Sequence, residues 1–135
     1  MRDPLVFDSY PIISFLRKEA NYQAVKEILE EAFASRTRLV ISSINQGEVY
    51  YIIFRSLGED RAEQVLTWMS AMRFHLHPST PERVLAAARI KARFPVSYAD
   101  AFAIAAAREL DCPVITGDPE FRQVEQAGMV KVKWV

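Results

Sequence analysis

The chain has 135 residues, 50% hydrophobic and 25% charged, which predicts one globular domain over residues 1–135 and excludes a disordered segment. Lysine plus arginine and aspartate plus glutamate both number 17, and this zero net charge argues against a protein that coats nucleic acid through a broad basic face. No apolar run approaches the ~20 residues of a membrane span, and the N-terminal residues do not resemble a signal peptide. With Cys112 as the only cysteine, we expect a protein of the reducing cytoplasm that makes no membrane contact.

The first half of the chain alternates short apolar runs with helical periodicity. Ser9 is placed to cap the first helix, and Ser43 with Gln46 forms a capping-box pattern at the start of the third. Gly58 ends that third helix. The pattern predicts strands at 5–7 and 38–42, and helices at 9–18, 22–35, 43–57 and 60–71.

The second half continues the alternation. Thr80 and Pro81 are a helix N-cap and first residue, and Pro95 stops that helix. The pattern predicts further helices at 97–110 and 118–126, and strands at 73–77, 114–116 and 130–134. Strands that alternate with helices predict an α/β fold with a parallel, flavodoxin-like sheet of about five strands and helices on both faces.

Four acidic residues stand where strands end or helices begin. Asp8 and Asp118 follow predicted strands, while Glu48 and Asp100 lie one turn into predicted helices. Ligands of open parallel sheets bind at the carboxyl ends of the strands, so these carboxylates are expected to meet in one cleft. Four acids at one point cannot all stay ionised without cations between them, and Mg²⁺ or Mn²⁺ are the ions that suit oxygen ligands.

Each acid also has a structural interpretation. Asp118 before Pro119 can cap a helix, Asp100 can complete a capping box, and Glu48 can favour its helix through the helix dipole. Asp8 is the hardest to explain this way, because a carboxylate that ends a buried strand must be paired or face a polar crevice. The joint placement of the four residues is therefore a stronger signal than any one of them.

Four segments of the sequence together resemble the four motifs of PIN domains, and among these the VapC-type ribonuclease toxins of prokaryotic toxin–antitoxin pairs. They are Val6-Phe7-Asp8-Ser9, Ser42-Ser43-Ile44-Asn45-Gln46-Gly47-Glu48-Val49, Ser97-Tyr98-Ala99-Asp100-Ala101-Phe102-Ala103 and Ile115-Thr116-Gly117-Asp118-Pro119-Glu120-Phe121. No single motif is specific, but their order and spacing agree over essentially the whole chain.

The resemblance implies that the four acids are catalytic and hold one or two Mg²⁺ or Mn²⁺ ions that cut RNA by metal-assisted hydrolysis. It also implies supporting roles for the hydroxyls of Ser9 and Thr116, inhibition by a cognate antitoxin protein, and a homodimer. Some family members carry another aspartate shortly after the last motif acid. This chain has Glu120 there, and its longer side chain at a helix start argues against a direct ligand role.

A solvated helix face is the default interpretation of two basic groups, and contact with RNA phosphates is the sharper alternative. One group is Arg89, Lys91 and Arg93, and the other is Arg17 and Lys18.

His75 and His77 share one face of a predicted strand, where a transition-metal pair is an alternative to two structural histidines.

Three other functions remain open at this stage. A PIN ribonuclease of RNA processing would need no antitoxin. A phospho-receiver or an aspartyl phosphatase also carries an aspartate after its first strand. A receiver needs paired acids near its start, which are absent here apart from Asp3, and an Asp-x-Asp phosphatase needs an acid where Tyr10 stands. The third alternative is a catalytically inactive binding module, against which the intact acid set argues.

Overall fold

A computed structural model describes residues 3–135, and over these residues helices and strands alternate as the sequence predicts. The five strands are β1 Leu5–Phe7, β2 Leu39–Ser42, β3 His75–His77, β4 Val114–Thr116 and β5 Val132–Trp134. The seven helices are α1 Ser9–Leu16, α2 Tyr22–Ser35, α3 Ser43–Leu57, α4 Glu59–Ala71, α5 Pro81–Arg93, α6 Tyr98–Leu110 and α7 Phe121–Gln126.

The strands form one parallel sheet in the order β3-β2-β1-β4-β5, which confirms the predicted fold class. β1 is central and pairs with β2 on one side and β4 on the other. The chain therefore builds outward from β1 in one direction and then returns to its other side with β4. This reversal of strand order opens a crevice beyond the carboxyl ends of β1 and β4, where open α/β sheets bind ligands.

Two apolar cores cover the two faces of the sheet. Alternate residues of each buried strand point to opposite faces, so Val6, Val40 and Val114 pack in the core formed with α5, α6 and α7. Phe7 and Ile115 point the other way, into the core formed with α1 to α4. Alanines on α6 let it lie close against the sheet, and four of them are buried. The sheet is thus a rigid support for whatever lies at its carboxyl edge.

Left-handed residues move two boundaries from their predicted positions. α1 ends at Leu16 instead of Lys18, because Lys18 has φ 52° and leaves the helix. β3 begins at His75 instead of Arg73, because Arg73 has φ 62° and its turn closes α4. These are the conformations that end a helix through a left-handed residue. Neither position has the glycine that would have announced such a turn in the sequence.

The caps of two helices also differ from the prediction. The N-cap of α3 is Ser42, whose Oγ accepts a hydrogen bond from the Asn45 backbone N–H at 3.0 Å, and not Ser43. α7 begins at Phe121, and the residues from Asp118 to Glu120 form a turn before it. The remaining predicted bounds agree with the structure to within two residues. Within residues 3–135, no helix is both long and apolar enough to cross a bilayer.

Candidate active site

Asp8 is at the centre of the carboxyl edge, immediately after the central strand β1. It is 1% exposed. Its Oδ2 accepts a hydrogen bond from the Thr116 hydroxyl at 2.9 Å, whereas its Oδ1 is buried with no hydrogen-bond partner. Burial first, and then the charges of Asp100 and Glu48, hold the pKa of Asp8 well above its usual range. The Thr116 hydroxyl and the Ser9 backbone N–H lower the pKa of Asp8 but do not offset its burial. A buried carboxylate oxygen without a well-formed hydrogen bond is costly, which favours a site that a cation can enter.

The loop after β4 places Asp118 beside Asp8. Thr116 bridges the two, because its hydroxyl donates to Asp8 and accepts from the Asp118 backbone N–H at 3.1 Å. Asp118 Oδ1 in turn accepts from the Glu120 backbone N–H at 2.9 Å, which fixes the turn before α7. Gly117 is needed between them, since a Cβ there would lie 2.9 Å from the Val135 carbonyl oxygen. The Thr-Gly-Asp sequence thus connects the backbone of Asp118 to the carboxylate of Asp8 through one hydroxyl.

Asp100 enters from the first turn of α6. Ser97 caps this helix, and its Oγ accepts from the Asp100 backbone N–H at 3.1 Å, so the backbone half of the expected capping box is present. The Asp100 carboxyl is buried, and this burial together with the charge of Asp118 raises its pKa to about 6. A fraction of Asp100 therefore stays protonated near neutral pH unless a cation stabilises the carboxylate.

Glu48 completes the predicted set from α3. It is half-buried, and its Oε1 accepts a hydrogen bond from the Ser9 hydroxyl at the start of α1. The charge of Glu48 raises the pKa of both Asp8 and Asp100, which places it electrostatically within the same cluster. The structure therefore brings together all four predicted acids and both predicted hydroxyl residues.

One positioning residue, Asn45, was not singled out from the sequence. Asn45 is fully buried, and its Nδ2 donates to the Ala99 carbonyl oxygen at 3.0 Å, so it ties the start of α3 to the start of α6. The available signal was a polar residue in the first turn of a predicted helix, between Ser43 and Glu48. Glu120, expected not to be a direct ligand, has a carboxylate oxygen within 4.8 Å of oxygens of both Asp100 and Asp118.

The residues at this edge fit a hard divalent cation. All candidate ligands are carboxylate oxygens, and two carboxyls are held with raised pKa values in a buried setting. Within residues 3–135, none of the four predicted acids pairs with a lysine, arginine or histidine. In the same described range, the one cluster of three or more potential metal ligands is Asp100, Asp118 and Glu120. The alternative histidine pair gains no such cluster: His75 is exposed, and His77 is buried 3.4 Å from Glu109.

The structure separates the basic residues that the sequence grouped. Arg89 and Arg93 line one cavity beside α5, but the Lys91 ammonium donates to the Val96 carbonyl oxygen at 2.9 Å and does not line it. Arg17 is exposed and pairs with Glu19 at 3.3 Å. Of the basic residues that the sequence grouped, Arg89 and Arg93 are the two that line this cavity.

Three solved structures share this fold over nearly the whole chain. VapBC2 from Rickettsia felis, bound to a promoter DNA fragment, has a TM-score of 0.76 at 11% identity and covers 97% of this chain and 98% of its own. DNA-bound VapBC from Salmonella typhimurium has a TM-score of 0.75 at 19% identity and covers 98% of both chains. VapC20 from Mycobacterium tuberculosis, described as a sarcin-ricin loop cleaving toxin, has a TM-score of 0.75 at 18% identity and covers 95% and 98%.

At these identities the likeness establishes the fold and nothing finer. A search of curated proteins finds no match. The model of the PIN domain family, by contrast, matches residues 5–127, which include all four acids at the carboxyl edge. The chain therefore belongs to the PIN domain family.

Proposed function

We propose that the protein is a divalent-metal-dependent endoribonuclease and the toxin of a toxin–antitoxin pair. The observation that carries this proposal is the convergence of Asp8, Glu48, Asp100 and Asp118 at the point where the strand order reverses, with one buried oxygen of Asp8 unsatisfied. Membership of the PIN family and a fold shared with VapC structures support it. RNA as substrate and Mg²⁺ or Mn²⁺ as cofactor are parts of the proposal.

Asp100 and Asp118, whose carboxylate oxygens lie within 4.8 Å of each other and of Glu120, would hold the cation, and Asp8 and Glu48 complete the proposed set of acids. A bound Mg²⁺ or Mn²⁺ supplies Lewis acidity that activates water and offsets the charge of the attacked phosphodiester. Thr116 holds the Asp8 carboxylate in place through Oδ2, which leaves Oδ1 without a hydrogen bond. Ser9 holds Glu48 in the same way. The rigid sheet and the tie between Asn45 and α6 keep the carboxylates converged before substrate arrives.

Cleavage of RNA with and without a chelator tests the metal requirement. We expect turnover in Mg²⁺ or Mn²⁺, no turnover in excess EDTA, and recovery when the metal is restored. Asp118→Asn should lose activity, whereas Asp60→Asn, which removes an exposed acid on α4, should keep it. Full activity in excess EDTA would contradict the proposed chemistry.

The toxin role rests on the shared fold, because the neighbours from Rickettsia felis and Salmonella typhimurium are VapBC complexes. A cognate antitoxin would place a basic side chain, and most simply an arginine, among the acids, since a guanidinium fork fits paired carboxylates. A homodimer is proposed on the same ground. Expression of the gene alone in a prokaryotic host should arrest growth, and an Asp118→Asn gene should not. Normal growth despite soluble wild-type protein would contradict the toxin role but not the ribonuclease activity.

A PIN ribonuclease of RNA processing is the second candidate within the family. It would show the same metal-dependent cleavage without growth arrest and without a co-expressed inhibitor. The receiver and phosphatase alternatives gain no support from the family match. A small gene overlapping this one would distinguish the two remaining candidates, because only the product of an antitoxin gene would suppress cleavage on co-expression.

A further inference from the structure

A cavity of about 400 Å³ lies between α5 and α6 and is separate from the acidic cluster. Four arginines line it, from two helices, and they face a single acid, Glu109. The lining residues of α6 are Phe102, Ala105, Ala106, Arg108 and Glu109. At 100° per residue, all of these except Arg108 lie on the face of the helix opposite Asp100. We name it the α5–α6 cavity.

The arginines of α5 form a stripe along this cavity. Arg83, Arg89 and Arg93 line it together with Ala86 and Ile90 between them. These spacings of three, four and seven residues keep the side chains on one side of a helix. Arg83 and Arg93 are ten residues apart, so the stripe is roughly 15 Å long at 1.5 Å per residue. Because Glu109 pairs with Arg83, the unpaired positive charge lies at the Arg89–Arg93 end of this stripe.

The arginines differ in what they already contact. Arg83 makes a two-pronged contact with Glu109 at 3.0 and 2.9 Å, and Arg108 donates to the Met129 carbonyl oxygen at 2.6 Å. Arg89 and Arg93 have no hydrogen bond or ion pair to any part of residues 3–135. Arg83 is therefore neutralised by the fold, while Arg89 and Arg93 present two uncompensated guanidinium groups to the same concave surface.

The floor of the cavity is apolar. Small side chains, such as Ala105 and Ala106, leave room above it, and Ile90, Phe102 and Met129 provide flat or flexible apolar surface. Guanidinium forks bind phosphate and stack on bases, and apolar surface accepts a base from a single strand. An apolar floor rimmed by two uncompensated arginines therefore matches a nucleoside phosphate.

The position of the cavity favours nucleic acid over an acidic peptide as the source of this ligand. The acidic cluster repels an RNA substrate, and a chain of zero net charge has no general positive field to offset that repulsion. A ribonuclease of this kind therefore needs a local positive surface beside its acidic site. Arg93 ends α5 and is only seven residues before Asp100, with a short connection between the two helices. The stripe then leads away from the acidic end of α6, which is the course a bound strand would follow beyond the point of cleavage.

We propose that the α5–α6 cavity binds a nucleotide of the RNA strand away from the scissile bond, with Arg89 and Arg93 on its phosphates and the base against the apolar floor. This inference rests on RNA being the substrate in the proposed function. It excludes Lys91, whose ammonium is directed to Val96.

The test is binding of a fluorescent single-stranded RNA of about 20 nucleotides, long enough to cover one site, measured in EDTA so that no cleavage occurs. Arg89→Gln/Arg93→Gln is compared with Lys26→Gln/Arg36→Gln, which removes the same charge from α2 and its C-cap on the other face of the sheet. Loss of two phosphate contacts should lower the salt slope by about 1.4 and weaken binding roughly tenfold at 0.15 M salt. The control should change neither by a comparable amount. Thermal melting of both double variants checks that each is folded.

Several results would overturn the proposal. They are wild-type protein that does not bind RNA in EDTA, equal losses in the two double variants, or arginine-dependent binding of AMP or of poly-glutamate without that of RNA. AMP alone would mean a free-nucleotide site, and poly-glutamate alone a protein partner. Wild-type cleavage in Mg²⁺ is measured in parallel. Cleavage without cavity-dependent binding contradicts only the proposed role of the cavity. Cavity-dependent binding without cleavage contradicts only the proposed nuclease activity.

Discussion

Neutralising Asp100 should stabilise the metal-free protein at alkaline pH and not at acidic pH. The pKa of this carboxyl rises from 3.8 to about 6, through burial and the charge of Asp118. Below pH 3.8 the group is protonated in both the folded and the unfolded chain, so it costs nothing. As the pH rises through 6, the unfolded chain is ionised without penalty while the folded chain must ionise a buried acid. Stability conferred by the protonated form is therefore lost between about pH 4 and 6.

The size of the effect follows from the shift. A difference of about two pH units corresponds to about 3 kcal/mol, and partial solvent access to the site reduces this to about 2–3 kcal/mol. Asp100→Asn keeps the backbone cap with Ser97 and removes the charge. For a domain of 135 residues, the gain corresponds to a rise of about 7–10 °C in melting temperature at pH 8. At pH 4 the variant and the wild type should melt together.

Thermal unfolding in EDTA at pH 4 and pH 8 measures this, with Asp60→Asn as a control that removes an exposed acid. With Mg²⁺ at 100 times its Kd the difference at pH 8 should shrink towards zero, because the ligand adds about 2.7 kcal/mol to the wild type and less to a variant that has lost a ligand. An Asp100→Asn protein that is less stable than the wild type at pH 8 in EDTA would refute the reasoning. A difference that is the same at both pH values would refute it too.

Three further changes test the same cluster and its supports. Asp8→Asn should reduce RNA cleavage by orders of magnitude and abolish the Mg²⁺-induced rise in melting temperature without lowering metal-free stability; a folded Asp8→Asn protein with near-native activity would refute the site assignment. Thr116→Val should lower the free energy of unfolding by about 2 kcal/mol in urea titrations, because it removes the one side-chain donor of Asp8 and the acceptor of the Asp118 N–H. Ser42→Ala should cost about 1 kcal/mol by the same measurement through loss of the α3 cap; an unchanged free energy of unfolding would argue against Ser42 as the cap.

The order and type of the elements, and the placement of the four acids near strand and helix ends, could be predicted from the amino-acid sequence. These features are local, because apolar period, proline and capping hydroxyls act within a few residues. The prediction of helix 22–35 is confirmed residue for residue, and so are strands 5–7 and 114–116. The single domain over 1–135, the homodimer and the roles of the site residues stay predictions.

Strand order, burial and the distances between side chains depended on the tertiary structure. Strand order followed from which strands pair with β1, and it alone showed that Asp8 and Asp118 flank the reversal point. Burial and neighbouring charges set the pKa values of Asp8 and Asp100, and no local pattern carries either quantity. Glu120 approaches the cluster because a turn delays the start of α7.

The basic residues show the same division between local pattern and packing. The sequence grouped Arg89, Lys91 and Arg93 because they are near one another in the chain. Rotation about the helix axis sends Lys91 to Val96 and leaves the two arginines facing α6. The sequence could supply the charges, but only the packing of α5 on α6 could place two of them without a partner over an apolar floor, because that placement depends on which helix faces lie in contact.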